Sequence, residues 1–153
     1  MDKVDGKILM QLQQDAKQNT KQIANKIGLS VTPTYERIRK MERSGIIKSY
    51  VALLDRSKIE KEVVAYCQIT LSKHQKSTVD SFERKMNSIP EIMECHHVSG
   101  NFDFLLKVVA SNINEFHKFT TEKLSVFEEI ATIHTVFVMK SAKDSTVYNV
   151  DLT

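Results

Sequence analysis

The chain has 153 residues, 41% hydrophobic and 27% charged, with a formal net charge of +3; that length fits one compact domain or two small ones, and the apolar fraction excludes a disordered chain. No apolar run nears the roughly 20 residues of a membrane helix, and MDKVDGKILMQ lacks the apolar stretch of a secretory signal. Two distant cysteines, Cys67 and Cys95, make neither a disulfide framework nor a spaced metal motif, so a soluble intracellular protein is expected.

The charge is unevenly spread. Residues 1–50 hold 10 Lys/Arg against 5 Asp/Glu, and the remainder holds 12 against 14. A basic first third followed by a slightly acidic remainder suggests two modules, one of which meets a polyanion. In the first helix Asp2 stands as a cap with Asp5 in the capping-box position, and Val4, Ile8, Leu9 and Leu12 follow at helical spacing. A second helix begins after Asn19-Thr20, with Thr20 as its cap, buries Ile23, Ala24 and Ile27, and stops at Gly28. Ser30 caps a third helix, and Pro33 falls in its first turn, where the missing N–H has no partner to lose. At about 100° per residue, Val31, Thr34, Tyr35, Ile38, Met41 and Glu42 face inward, while Thr32, Pro33, Glu36, Arg37, Arg39, Lys40 and Arg43 face outward. Ser44-Gly45 closes the helix, IIKSYVALLD (46–55) reads as a strand, and RSKIEKE (56–62) reads as a connector.

Beyond it, strand and helix signals alternate. VVAYCQITL (63–71) is a strand, and STVDSFERKMNSI (77–89) spaces Val79, Phe82, Met86 and Ile89 as a helix ended by Pro90. IMECHHV (92–98) and FDFLLKVVA (102–110) are strands joined by Ser99-Gly100-Asn101. INEFHKFTTEKLSVF (113–127) is helical with Ile113, Phe116, Thr120 and Leu124 on one stripe, IATIHTVFVM (130–139) is a strand, and STVYNVDL (145–152) is a further one. The expected fold class is α+β: a three-helix helix-turn-helix domain (1–50), a strand and connector (51–62), and a C-terminal ferredoxin-like βαββαβ sandwich (63–153). Tyr66, Phe104, Leu106, Phe137 and Met139 cannot all be left wet, which predicts that the sheet face away from the helices is covered by a second copy.

Two short helices joined by a tight glycine turn, the second basic outside, suit a helix in the major groove of double-stranded DNA. Ser30, Thr32 and Thr34, near the start of the third helix, are placed to bind phosphate. Arg37 is placed to meet a base edge, most naturally guanine, while Lys40 and Arg43 neutralise phosphates; Lys21 and Lys48 add backbone contacts.

The string GLSVTPTYERIRKMERSGIIKSYVALLD (28–55) closely resembles the Lrp/AsnC (feast/famine) family of prokaryotic transcription regulators. ECHHVSGNFDFLLKV (94–108) is similar to the turn and strand pair of that family's effector domain, and the likeness runs from the first helix to about Met139. The resemblance implies a DNA-binding domain tethered to a ligand-sensing domain, dimers that assemble further, often to octamers, and a small amino-acid effector bound between dimers. It also implies a cytoplasmic, nucleoid-associated protein. The effector positions it carries over are Gly100, Asn101 and Asp103, a turn whose backbone N–H groups suit a carboxylate and whose aspartate suits an α-amino group. His97, Thr135, Val136 and Val138 match positions that line or flank the pocket, and Thr132 adds a hydroxyl. His97 and Val136 stand where relatives carry aliphatic or aromatic residues, so leucine is not implied as the ligand.

Three other readings compete. Cys95-His96-His97 suggests a metal or thiol site, but strand alternation turns His96 away from its neighbours and the three do not converge. Some decarboxylases acting on modified tetrapyrroles resemble the same two-domain fold, yet an enzyme has no need of an outward basic helix. A stand-alone amino-acid-binding and oligomerisation module would not require the first 50 residues. No phosphate-binding glycine loop, nucleophile elbow or clustered metal ligands are present, so no catalytic residue, metal or cofactor is expected beyond the effector.

Overall fold

Capping boxes decide where the first two helices start. Asp2 accepts the N–H groups of Val4 and Asp5 while Asp5 accepts that of Asp2, opening α1 (Lys3–Gln14). Asn19 and Gln22 exchange the same pair of bonds at the start of α2 (Thr20–Ile27), so Asn19 is the cap and the expected cap, Thr20, is the first helical residue. In the computed structural model, which describes residues 1–150, Gly28 leaves α2 at φ 74°, a left-handed turn that a side chain disfavours. The turn delivers the chain into α3 (Val31–Arg43). Ser30 occupies the cap position of α3 without a side-chain bond; its carbonyl instead accepts the Thr34 hydroxyl at 2.9 Å. Ile8, Ile23, Ile38 and Met41 form the core of this bundle, with Val4, Leu9, Leu12 and Ile27 around them.

The described chain divides into two compact units: Met1–Leu53 together with the segment from Ala142, and Leu54–Ser141. The expected domain 63–153 therefore contributes to both units. The segment from Ala142 joins the helical unit because Gln13 on α1 treats its backbone as a neighbouring strand. The Gln13 side-chain amide donates to the Tyr148 carbonyl at 3.0 Å and accepts the Tyr148 N–H at 2.7 Å. The strand expected at 145–152 does not form over 145–150; Asp151 and Leu152 lie outside the described residues. Residues 46–55 also form no strand, and Ile46, Tyr50, Val51, Leu53 and Leu54 are all exposed. Within the connector, a 3₁₀ turn (Arg56–Ile59) is capped by Asp55.

In the second unit β1 (Val63–Leu71), α4 (Lys76–Asn87), β2 (Ile92–His97), β3 (Phe104–Ala110), α5 (Ile113–Lys118) and β4 (Ile130–Phe137) follow the predicted β-α-β-β-α-β order. α5 runs on into a π-helical turn at Phe119–Leu124. The sheet is antiparallel with strand order β2-β3-β1-β4. Register fixes its faces. Phe104 pairs with Ile69, Leu106 with Cys67 and Val108 with Ala65, so all six point to one side and meet Phe82, Met86, Phe116, Phe119 and Leu124 from the helices. Phe82 and Phe104 lie 4.7 Å apart between ring centroids and Phe116 and Phe137 5.0 Å; burying Phe82, Phe104 and Phe116 contributes about 1.5–3 kcal/mol each, while Phe137 stays partly exposed.

That register corrects the expected list of residues needing cover. Phe104 and Leu106 are buried against the helices, Phe137 packs on Phe116, and Met139 lies beyond β4. The outer face is a mixture: Tyr66, Leu105, Val109 and Val136 beside Gln68, Thr70, Lys107, Thr132, His134, Glu94 and His96. Among the described residues no helix is long and apolar enough to cross a membrane.

Candidate functional site

Two surfaces follow from this fold, one on each unit. On the helical unit, α3 buries Thr34, Ile38 and Met41 and exposes Thr32, Tyr35, Glu36, Arg39, Lys40 and Arg43. Thr34 is fully buried with its hydroxyl spent on Ser30, so it is removed from the phosphate-binding set. Tyr35, expected inside, is 52% exposed. Ser30, Thr32, Lys21, Lys40, Arg43 and Lys48 are exposed, as the roles assigned to them require.

Arg37 departs most from its assigned role. Its guanidinium lies 2.7 Å from Asp2 Oδ2 and 2.7 Å from Asp5 Oδ1, tying α3 to the capping box of α1. The bonds it donates to Asp5 and Asp2 raise the guanidinium's pKa above its ordinary value. The cap bond from the Asp5 N–H, and then Arg37, hold the Asp2 carboxyl below its own. The helix places Arg37 on the flank nearest α1, and two carboxylates are waiting there. Arg39 is likewise occupied, 3.0 Å from Glu42, which also accepts the Tyr50 hydroxyl at 3.0 Å. Sequence reasoning passed over Glu36, which sits between these arginines and makes no side-chain bond with any described residue. The helical spacing that located the basic face also contained it.

On the second unit the turn between β2 and β3 carries the predicted effector positions. Gly100 adopts φ 135°. The N–H of Val98 donates to the Asp103 carbonyl at 2.9 Å and that of Asp103 to the Ile69 carbonyl at 2.8 Å. The four N–H groups between them, from Ser99 to Phe102, bond to no described residue. Asp103 is anchored: Oδ2 accepts the Leu71 N–H at 2.7 Å, and His74 Nε2 lies 3.0 Å from Oδ1. It thus binds the turn to the end of β1, a role the sequence did not suggest. His97 stacks on Phe104 at 4.8 Å, and Asn101 is exposed.

The remaining positions are not at this turn. Thr132 pairs with Thr70, on the far side of β1. Thr135 lies inward, its hydroxyl 3.5 Å from Cys67 Sγ, while Val136 lies on the outer face. The Val138 N–H donates to the Val64 carbonyl at 2.9 Å. Asp103 meets β1 at Ile69 and Val138 meets it at Val64; five residues of strand separate them, roughly 17 Å. One chain therefore holds the turn and the end of β4 at opposite corners of the sheet.

Burial raises the pKa of the Cys67 thiol and, with Glu83, that of Cys95 to about 11, which disfavours the thiolate at both positions. Cys95 faces the helices and His96 the outer side, and among the described residues no three His, Cys, Asp or Glu groups could hold a metal.

Residues 64–148 match the family model for the Lrp/AsnC ligand binding domain, and residues 1–48 match one for winged helix-turn-helix DNA-binding. A leucine-responsive regulatory protein of Rhizobium meliloti (strain 1021) is 34% identical over 145 residues, 95% of this chain and 93% of that protein. A crystal structure of an AsnC family transcriptional regulator from Agrobacterium tumefaciens superposes with a TM-score of 0.92 at 34% identity, covering 97% of this chain and 96% of that one. A transcriptional regulator of Neisseria meningitidis in complex with L-Met superposes with a TM-score of 0.91 at 26% identity, covering 95% and 94%.

Proposed function

Because the chain belongs to the Lrp/AsnC family of DNA-binding transcriptional regulators, which are not enzymes, we propose that it reads specific DNA sites through α3 and answers a small amino acid held at the Gly100 turn where copies of the protein meet. Family membership removes the decarboxylase reading, and the helix-turn-helix match removes that of a module without DNA activity.

The observation that carries the effector reading is the run of unpaired N–H groups from Ser99 to Phe102 beside Asp103. Successive free N–H groups in a glycine turn form a concavity for an anion, and an α-carboxylate fits it. Asp103 already accepts two bonds, but a carboxylate offers about four lone-pair sites, which leaves capacity for an ammonium group. The roughly 17 Å between this turn and the end of β4 supports a site shared between copies, since only another chain can supply Thr135, Val136 or Val138 to the turn. The mixed outer sheet face, with Tyr66, Leu105 and Val136 among polar groups, supports a dimer there, and further assembly would bring dimers together at the turns.

In this scheme a dimer presents two α3 helices to a pseudo-palindromic site, and higher assembly, up to an octamer, lets several dimers share one DNA segment. The effector shifts occupancy only through its differential affinity for the alternative assemblies. Such a regulator works on the nucleoid, in the cytoplasm of a prokaryote. The L-Met in the Neisseria complex makes apolar amino acids the first class to try.

Size-exclusion chromatography with light scattering, run with and without each of the common amino acids and paired with calorimetry, tests the proposal. A mass change accompanied by heat of binding for one of them is the expected result. A fixed mass and no heat across the panel would overturn the effector reading and leave DNA binding untouched.

A further inference from the structure

The DNA-facing side of α3 holds one carboxylate, and it is central. At about 100° per residue, Glu36 falls within about 20° of the direction opposite the buried trio Thr34, Ile38 and Met41, whereas Arg37 falls about 110° from it. Glu36 is exposed and its side chain bonds to nothing described, although Lys40 stands four residues on, in the favourable order for a helical ion pair. Arg39, three residues on, is engaged by Glu42 instead. An unpaired negative charge at the middle of a surface that approaches phosphates is repelled by them unless it is directed past them into the groove.

Inside the major groove only exocyclic amino groups welcome a carboxylate. Guanine presents two acceptors and thymine an acceptor with a methyl group, both hostile; adenine sets its N7 acceptor beside its amino group; cytosine presents its N4 amino group as a donor with no acceptor of its own. We infer that Glu36 is a specificity-determining residue that reads a cytosine N4 amino group in each half-site, rejecting other bases by repulsion as well as selecting cytosine by a hydrogen bond. Thr32 and Lys40, one turn to either side on the same exposed face, then hold the flanking phosphates.

The inference rests on DNA reading through α3, and the test separates the two. The full-length protein, E36Q and E36A each select from a randomised duplex library, with thermal melts to check folding of these exposed-site variants. The wild type is expected to favour cytosine at one fixed position per half-site by about tenfold or more. In E36A that preference flattens, in E36Q it flattens or turns to adenine, and preferences elsewhere persist. Identical preferences in all three proteins would overturn the inference, as would a uniform loss on every sequence or a change confined to an A·T position. A wild type that selects no sequence would sink site-specific reading itself.

Discussion

Arg37 shows how a residue's role is set by its neighbours across space. As a bridge to Asp2 and Asp5 it holds the start of α1 against α3, with solvent weakening a pair that stays partly exposed. Arg37→Ala should therefore lower the melting temperature of the helical unit by a few degrees and weaken all DNA sequences alike; a loss confined to one base position would return it to the groove. Helix 3 was legible in outline, since Gly28, Ser30 and Pro33 mark its start and Ile38 and Met41 its buried side. The flanks were not legible. Periodicity gives the centre of a face, but whether Tyr35 or Arg37 lies next to α1 depends on packing, and it is the arginine, still partly exposed, that meets the α1 carboxylates. Asp103 was found by resemblance, but its bond to the Leu71 N–H needs a contact 32 positions away in sequence.

Elements were readable wherever the chain supplies its own partner. The four strands of the sheet pair with one another, but residues 46–55, also rich in β-branched and aromatic types, pair with no strand among the described residues and stay irregular. The same logic explains the segment at 145–150, which meets a side-chain amide and not a strand. At the helical turn the controlling quantity is backbone conformation. A methyl group on Gly28 would have no atom within 4 Å, so Gly28→Ala should cost only the left-handed penalty of about 1–2 kcal/mol. Chemical denaturation of the helical unit measures it, and a larger loss would mean that the loop repacks.

For the whole molecule, the proposed meeting of copies on the outer sheet face is open to a single charge. Val136→Arg places a charge on that face, at a residue 45% exposed in the single chain. Circular dichroism should show the sheet intact while light scattering shows the mass falling to one chain; an unchanged mass would move the meeting of copies elsewhere. The helical unit has a different dependence, because Gln13 near its start grips Tyr148 near the other end of the sequence. A ribosome makes α1, α2 and α3 first, then all four strands, and only then the residues that Gln13 holds. The helical unit thus receives this piece only after the sheet has been synthesised, and a nascent chain stalled before residue 142 carries its three helices without it.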